Sequence, residues 1–367
     1  MEMRSPRKFE CALLAGLCLF LAVAIPAAQL VDDRAITIQS SRDLAAKRQA
    51  LIDYLWGAHG FPRGQLPSAV AKSIKSPVSG LNNLERVDEL QIAMGEAERG
   101  LAYHFVAMRS NGRLVVVDQG HACTFDDTVA PAGKNYGMQR AIQELLSAGF
   151  SVLAVYMPHE IPGDCQGTSG HNAMFARTSA AGGPMRYFLE PVAVCLNYLQ
   201  AKSRADRFPE YREFDMVGFS GGGWTATIYV AIDPRITMSF PVAGSLPLYL
   251  RTGASVGDAE QTDAPFYKIA GYPDLYVMGA YGPGRKQVQI LNRRDSCCFG
   301  ENQHDAALMG MTWEAAVRGY ETRVQTALEH LGSKNAFRVE IDEEATGHMI
   351  SHHAIADIIL RELSEKH

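Results

Sequence analysis

The sequence predicts an α/β fold with a largely parallel central sheet, and three observations carry that prediction. Short, apolar, β-branched runs recur along the chain, as at 114–118, 150–156, 214–218 and 236–242. Helical periods separate them at 136–147, 187–201 and 224–231. The runs are apolar throughout rather than alternating, which suits parallel strands covered on both faces. A chain of 367 residues fits one large domain with insertions. A net charge of −5 leaves no basic footprint for nucleic acid.

In chain order, Arg4, Arg7 and Lys8 precede an uncharged run from Cys11 to Val31. Residues 1–31 therefore read as a secretory signal peptide or an uncleaved signal anchor. Either places the rest of the chain outside the cytoplasm, secreted, periplasmic or membrane-anchored, because the basic flank stays inside. Residues 32–83 read as an N-terminal helix at 41–56, with Leu44, Leu51, Ile52 and Leu55 on one side, then an irregular segment carrying Pro62, Pro67 and Pro77. The main domain is expected over 84–367. It opens with an alternating pair, 90–94 and 101–108, and then enters the βα units.

The chemistry centres on Val217-Gly218-Phe219-Ser220-Gly221-Gly222-Gly223, a G-x-S-x-G pentapeptide between an apolar run and a helical one. A strand–turn–helix of this kind presents a serine Oγ at a sharp turn, where a Cβ on the flanking positions would collide with strand and helix. Serine hydroxyl is a poor nucleophile at neutral pH and needs a base, and the base needs an orienting acid. Two later strand-like runs supply them in the order Ser, Asp, His. One is 286–291, leading to Asp295; the other is 337–341, leading to Gly347-His348. Asp295 lies beside Arg293 and Arg294, so a surface ion pair is its plain alternative. Asp305 and Asp342 compete for the acid role, and His352 and His353 for the base. An oxyanion hole needs two backbone N–H donors. Gly221 supplies one, and the turn Gln119-Gly120-His121-Ala122 after strand 113–118 supplies the other at His121 or Ala122.

Together these residues resemble the serine-hydrolase branch of the α/β-hydrolase superfamily, over about 84–363. Residues 222–225 and 231–236 are similar to esterases of the acetyl-xylan-esterase and prolyl-oligopeptidase-like groups. The resemblance implies a mostly parallel sheet of about eight strands flanked by helices. It implies hydrolysis of a carboxylic ester, from a small molecule or a polymer, through an acyl-enzyme, without a cofactor. Amide or peptide cleavage is the near alternative, and a non-catalytic binding relative would be expected to lack one of the three residues. The Gly-Gly-Gly run and the Gln-Gly-His turn leave the subfamily open.

Two insertions, 157–185 and 244–285, are expected over the active site, because loops at the carboxyl ends of parallel strands form the ligand crevice. Trp224, His171 and Asn172 are the candidate substrate contacts, although His171-Asn172 can equally be a turn that holds its loop. The tyrosines of the second insertion either line a binding wall or pack the insertion onto the domain. Beyond the targeting segment stand five cysteines, of which Cys123 and Cys165 both follow strand ends and can meet above the sheet. No C-x-x-C or H-x-x-x-H pair accompanies them, so no metal site is expected.

Overall fold

In the computed structural model the apolar runs assemble into one nine-stranded sheet among the described residues, which are 31–128, 136–177, 183–251, 256–302 and 310–365. The targeting segment expected at 1–31 falls outside these residues apart from Val31, and so does Asp305. The strands are β1 (Ala69–Ile74), β2 (Leu84–Gly95), β3 (Glu98–Ala107), β4 (Arg113–Asp118), β5 (Ser151–Val155), β8 (Glu213–Phe219), β9 (Ile236–Val242), β10 (Lys286–Asn292) and β11 (Phe337–Asp342). A small separate hairpin joins β6 (Glu160–Ile161) to β7 (Asp164–Cys165). The strand order is β1-β2-β3-β5-β4-β8-β9-β10-β11. The first three strands are antiparallel, and β5 through β11 run parallel in that order. Order reverses between β4 and β8, which is the switch point where open α/β sheets leave a crevice at the carboxyl ends of their strands.

Helices cover both faces. They are α1 (Ser41–Trp56), α2 (Met138–Ser147), α3 (Gly167–Arg177), α4 (Arg186–Asp206), α5 (Gly221–Ile232), α6 (Ala259–Thr262), α7 (Ala264–Ile269), α8 (Tyr272–Ala280), α9 (Trp313–His330) and α10 (Arg361–Glu365). One core layer joins α2 to a π-helical stretch, Ala354–Leu360, through Met138, Ile142, Ile355 and Ile359. The other collects α1, α4, α5, α8 and α9 on the opposite face. Helix α1 starts where the Ser40 hydroxyl accepts the Asp43 N–H, and it buries Leu44, Leu51, Ile52 and Leu55 as its periodicity predicts.

One expectation is corrected here. The segment read as irregular supplies the edge strand β1, paired antiparallel to β2 from Ala69 opposite Gln91. A bulge interrupts it: Ser73 takes φ 53°, and its N–H is held by the Asp88 carboxylate at 3.0 Å. The C-terminal run is π-helical over Ala354–Leu360 before it becomes α10. Of the tyrosines in the second insertion, Tyr267, Tyr272 and Tyr276 are wholly buried. Tyr267 and Tyr272 stack at 4.8 Å, so these rings fasten α7 and α8 to the body.

Candidate active site

The turn after β8 is set by close packing. Ser220 has φ 56° and ψ −126°, a conformation that side chains other than glycine rarely adopt. A Cβ on Gly218 would lie 2.0 Å from Gly222 O, and one on Gly222 would lie 2.1 Å from Asp118 O. The turn is wedged between strands, and the Ser220 N–H is tied to Val242 O at 2.9 Å. Helix α5 begins at Gly221, so the positive end of its dipole lies beneath the serine. The Gly221 N–H opens the helix and so has no intrahelical acceptor.

Ser220 opens into a cavity of about 360 Å³, lined also by Gln119, His121, Ala122, Phe219, Cys297 and His348. His348 Nδ1 lies 2.7 Å from Asp295 Oδ2, and Asp295 is buried. The second oxygen of Asp295 accepts the N–H groups of Cys297 and Cys298 at 2.8 and 2.9 Å. The carboxylate is thus oriented by the backbone that follows it. The ring of Phe219 backs His348 at 4.5 Å between centroids. Asn292, the last residue of β10, donates from one Nδ2 to Gly347 O at 3.1 Å and Met349 O at 2.7 Å. That amide clamps the histidine loop on both sides of His348. With Nδ1 donated to Asp295, His348 keeps Nε2 for a proton from a serine in the same cavity.

The competing acid Asp342 is engaged elsewhere. It accepts the N–H groups of Glu344 and Ala345 and the Ser351 hydroxyl, and so folds the loop that carries His348. His353 pairs with Asp357 on the surface, and His352 is exposed.

On the opposite wall, Gly120 has φ 71°, and a Cβ there would meet Gly221 N at 2.6 Å. The β4 loop therefore presses directly against the Ser220 turn. The Ala122 N–H is taken up by Gly120 O at 2.9 Å, which leaves His121 as that loop's candidate oxyanion donor. Beneath the turn lies Asp118, wholly buried. Burial raises its carboxyl to about 7, against the lowering effect of the Gly120 N–H. Burial also lowers the His121 imidazole, with neighbouring His171 acting in the same direction.

The candidate substrate contacts fare differently. Trp224 is a correction: it points one turn down α5 into the core, packs on Phe188 at 5.2 Å and donates its Nε1 to Tyr267 Oη at 2.7 Å. His171 is also wholly buried, behind the cavity wall, with Nε2 2.9 Å from Pro158 O. Asn172 is exposed on α3 and does not line the cavity. Cys123 and Cys165 are joined, tying the β4 loop to the β6–β7 hairpin. Sequence reasoning missed Asn292, Asp258 and Gln261 at the site. A polar residue closing an apolar strand, as Asn292 closes β10, is the one signal that marks any of them. A larger cavity of about 610 Å³ lies near the amino ends of β10 and β11, lined by 281–286 and 331–336, away from the crevice.

The order of the sheet and the helices on both its faces are those of the α/β-hydrolase fold. Among solved structures, methylesterase BT1017 superposes with a TM-score of 0.58 at 16% identity, covering 88% of this chain. This chain spans 63% of that protein's length. Acetyl xylan esterase 1 from Thermoanaerobacterium sp. JW/SL YS485 superposes with a TM-score of 0.52 at 12% identity, over 89% of this chain and 94% of its own. No protein-family model and no curated protein matches the sequence.

Proposed function

We propose that this protein is a serine hydrolase acting outside the cytoplasm, which cleaves carboxylic esters. The observation that carries the reading is the 2.7 Å contact of His348 with buried Asp295, on the same cavity as a strained Ser220. Ser220 Oγ attacks the ester carbonyl while His348 takes its proton at Nε2. Asp295 fixes the tautomer and stabilises the imidazolium. The N–H groups of Gly221 and His121 receive the developing oxyanion, aided by the α5 dipole. His348 then returns the proton to the departing alcohol, and water repeats the sequence on the acyl-enzyme. The small cavity suits a short acyl or alkyl group, in keeping with neighbours named as a methylesterase and an acetyl xylan esterase. The Cys123–Cys165 bridge and the basic-then-apolar start of the chain agree with an oxidising compartment.

The test is Ser220→Ala beside the wild type, with p-nitrophenyl acetate turnover and fluorophosphonate labelling as readouts. Both signals are expected to vanish in the variant, a loss of at least about 10⁴-fold. A folded wild-type protein that shows neither would reject the reading.

A further inference from the structure

Behind the His121 side of the cavity, four side chains from three separate segments converge. His121 follows β4, His171 lies in α3, and Asp258 and Glu260 sit at the start of α6. His121 Nε2 is 3.1 Å from His171 Nδ1, 3.3 Å from Asp258 Oδ2 and 3.9 Å from Glu260 Oε1. His171 Nδ1 is 3.4 Å from Glu260 Oε1. His171 and Glu260 are wholly buried. Apart from that 3.4 Å approach of His171 Nδ1, neither oxygen of Glu260 has a hydrogen-bond partner among the described residues. Glu160, also buried, stands near both histidines.

A buried carboxylate without a donor is strongly unfavourable unless a positive charge faces it. The source can be a proton on His171 or a metal cation, and three features favour the metal. First, a tetrahedral ion with bonds of about 2.0–2.1 Å to N and O holds its ligand atoms about 3.3–3.4 Å apart. Of the six separations among these four atoms, the four given above, 3.1, 3.3, 3.4 and 3.9 Å, bracket that value. Second, the carbonyl of Pro158 only accepts, so His171 Nε2 carries a hydrogen, and in the neutral ring Nδ1 then presents a lone pair towards the cluster. Metal-bound histidines commonly give their other N–H to a backbone carbonyl in this way. Third, two imidazoles with two carboxylates form a donor set suited to zinc-like ions rather than to magnesium or calcium.

We propose that His121 Nε2, His171 Nδ1, Asp258 Oδ2 and Glu260 Oε1 bind one zinc-class divalent cation. Bound there, the ion ties the β4 loop to both insertions. It fixes the loop whose His121 N–H faces the serine, without itself touching the ester. Spacing rules do not find the site, because His121 and Glu260 are 139 positions apart in the chain and converge only through the fold.

The test uses the full chain, stripped with chelator and titrated with Zn²⁺ or Co²⁺. Bound metal, visible cobalt absorption and thermal midpoint are read, none of which depends on turnover. The expected result is one equivalent of metal, a tetrahedral cobalt spectrum without thiolate charge-transfer absorption, and a midpoint raised by about 5–10 °C at saturating zinc. His171→Gln and Glu260→Gln each abolish all three, whereas Cys297→Ser/Cys298→Ser retains them. No bound metal and no shift in the wild type would overturn the proposal. So would a thiolate signature in the cobalt spectrum, which would move the ion to the alternative trio Cys297, Cys298 and His348. The cobalt spectrum of the wild type decides the matter even if a variant fails to fold.

Discussion

The Ser220 turn and the loops carrying Asp295 and His348 meet at one cavity, but they are held there by different forces. Around Ser220 the constraint is excluded volume. Gly120, Gly218, Gly222 and Gly244 stand where any Cβ would fall within 2.6 Å of backbone. Around Asp295 and His348 the constraint is hydrogen bonding. Two N–H groups hold the carboxylate, one amide side chain holds the histidine loop, and Asp342 folds the residues just before it. The first kind of constraint tolerates almost no substitution. The second should yield in graded steps as individual bonds are removed.

The contrast is most easily broken at Gly222. Gly222→Ala places a methyl 2.1 Å from Asp118 O, between two backbones that cannot both retreat. It should cost more than about 3 kcal/mol and remove turnover together with folded yield. Denaturant titration and activity measure this, and a folded, active Gly222→Ala would refute the excluded-volume account. Asn292→Ala is the graded counterpart. It leaves two carbonyls without their donor and should lower stability by about 1–3 kcal/mol. It should lower kcat by about 10- to 100-fold, because His348 loses its fixed placement. Steady-state kinetics on folded protein would show this, and an unchanged kcat would mean that the Asp295 contact alone positions the ring.

An effect of the opposite sign is expected beneath the turn. Burial raises the Asp118 carboxyl from 3.8 to about 7 in the folded protein. The neutral acid is therefore the form that fits, and the stability it allows is complete below about pH 4 and lost as pH rises through about 7. Asp118→Asn should remove that slope. Urea midpoints measured from pH 4 to 8 should converge with those of the wild type at the acid end and exceed them at the alkaline end. Parallel curves would show that Asp118 is already ionised in the fold.

These differences also explain what could be read from the sequence. Excluded volume leaves a written trace, because it demands glycine at fixed positions. The Ser220 turn was accordingly legible, as were the strands feeding it and the order of Asp295 and His348 along the chain. Hydrogen-bonded tethers leave little trace: nothing local distinguishes Asn292 from any strand-ending polar residue, or Asp342 from a rival acid. Trp224 was misassigned because adjacency to the nucleophile in sequence says nothing of direction. One turn into α5 the side chain faces Phe188 and Tyr267, in a helix buried on all sides. Edge strand β1 escaped notice because its side chains are largely exposed and carry no apolar period. Helix α9 was not foreseen either, although it packs Trp313, Val317, Tyr320 and Val324 against the sheet.

The same edge strand has a consequence for how copies of this protein meet. A flat outer strand is a template on which another chain can extend the sheet. Here β1 is six residues long, carries Lys72 on its surface, and is kinked at Ser73 with that amide turned inward to Asp88. A neighbouring strand would find its row of hydrogen-bonding groups out of step after three residues. The antiparallel end of the sheet is thereby a poor template for growth by strand addition.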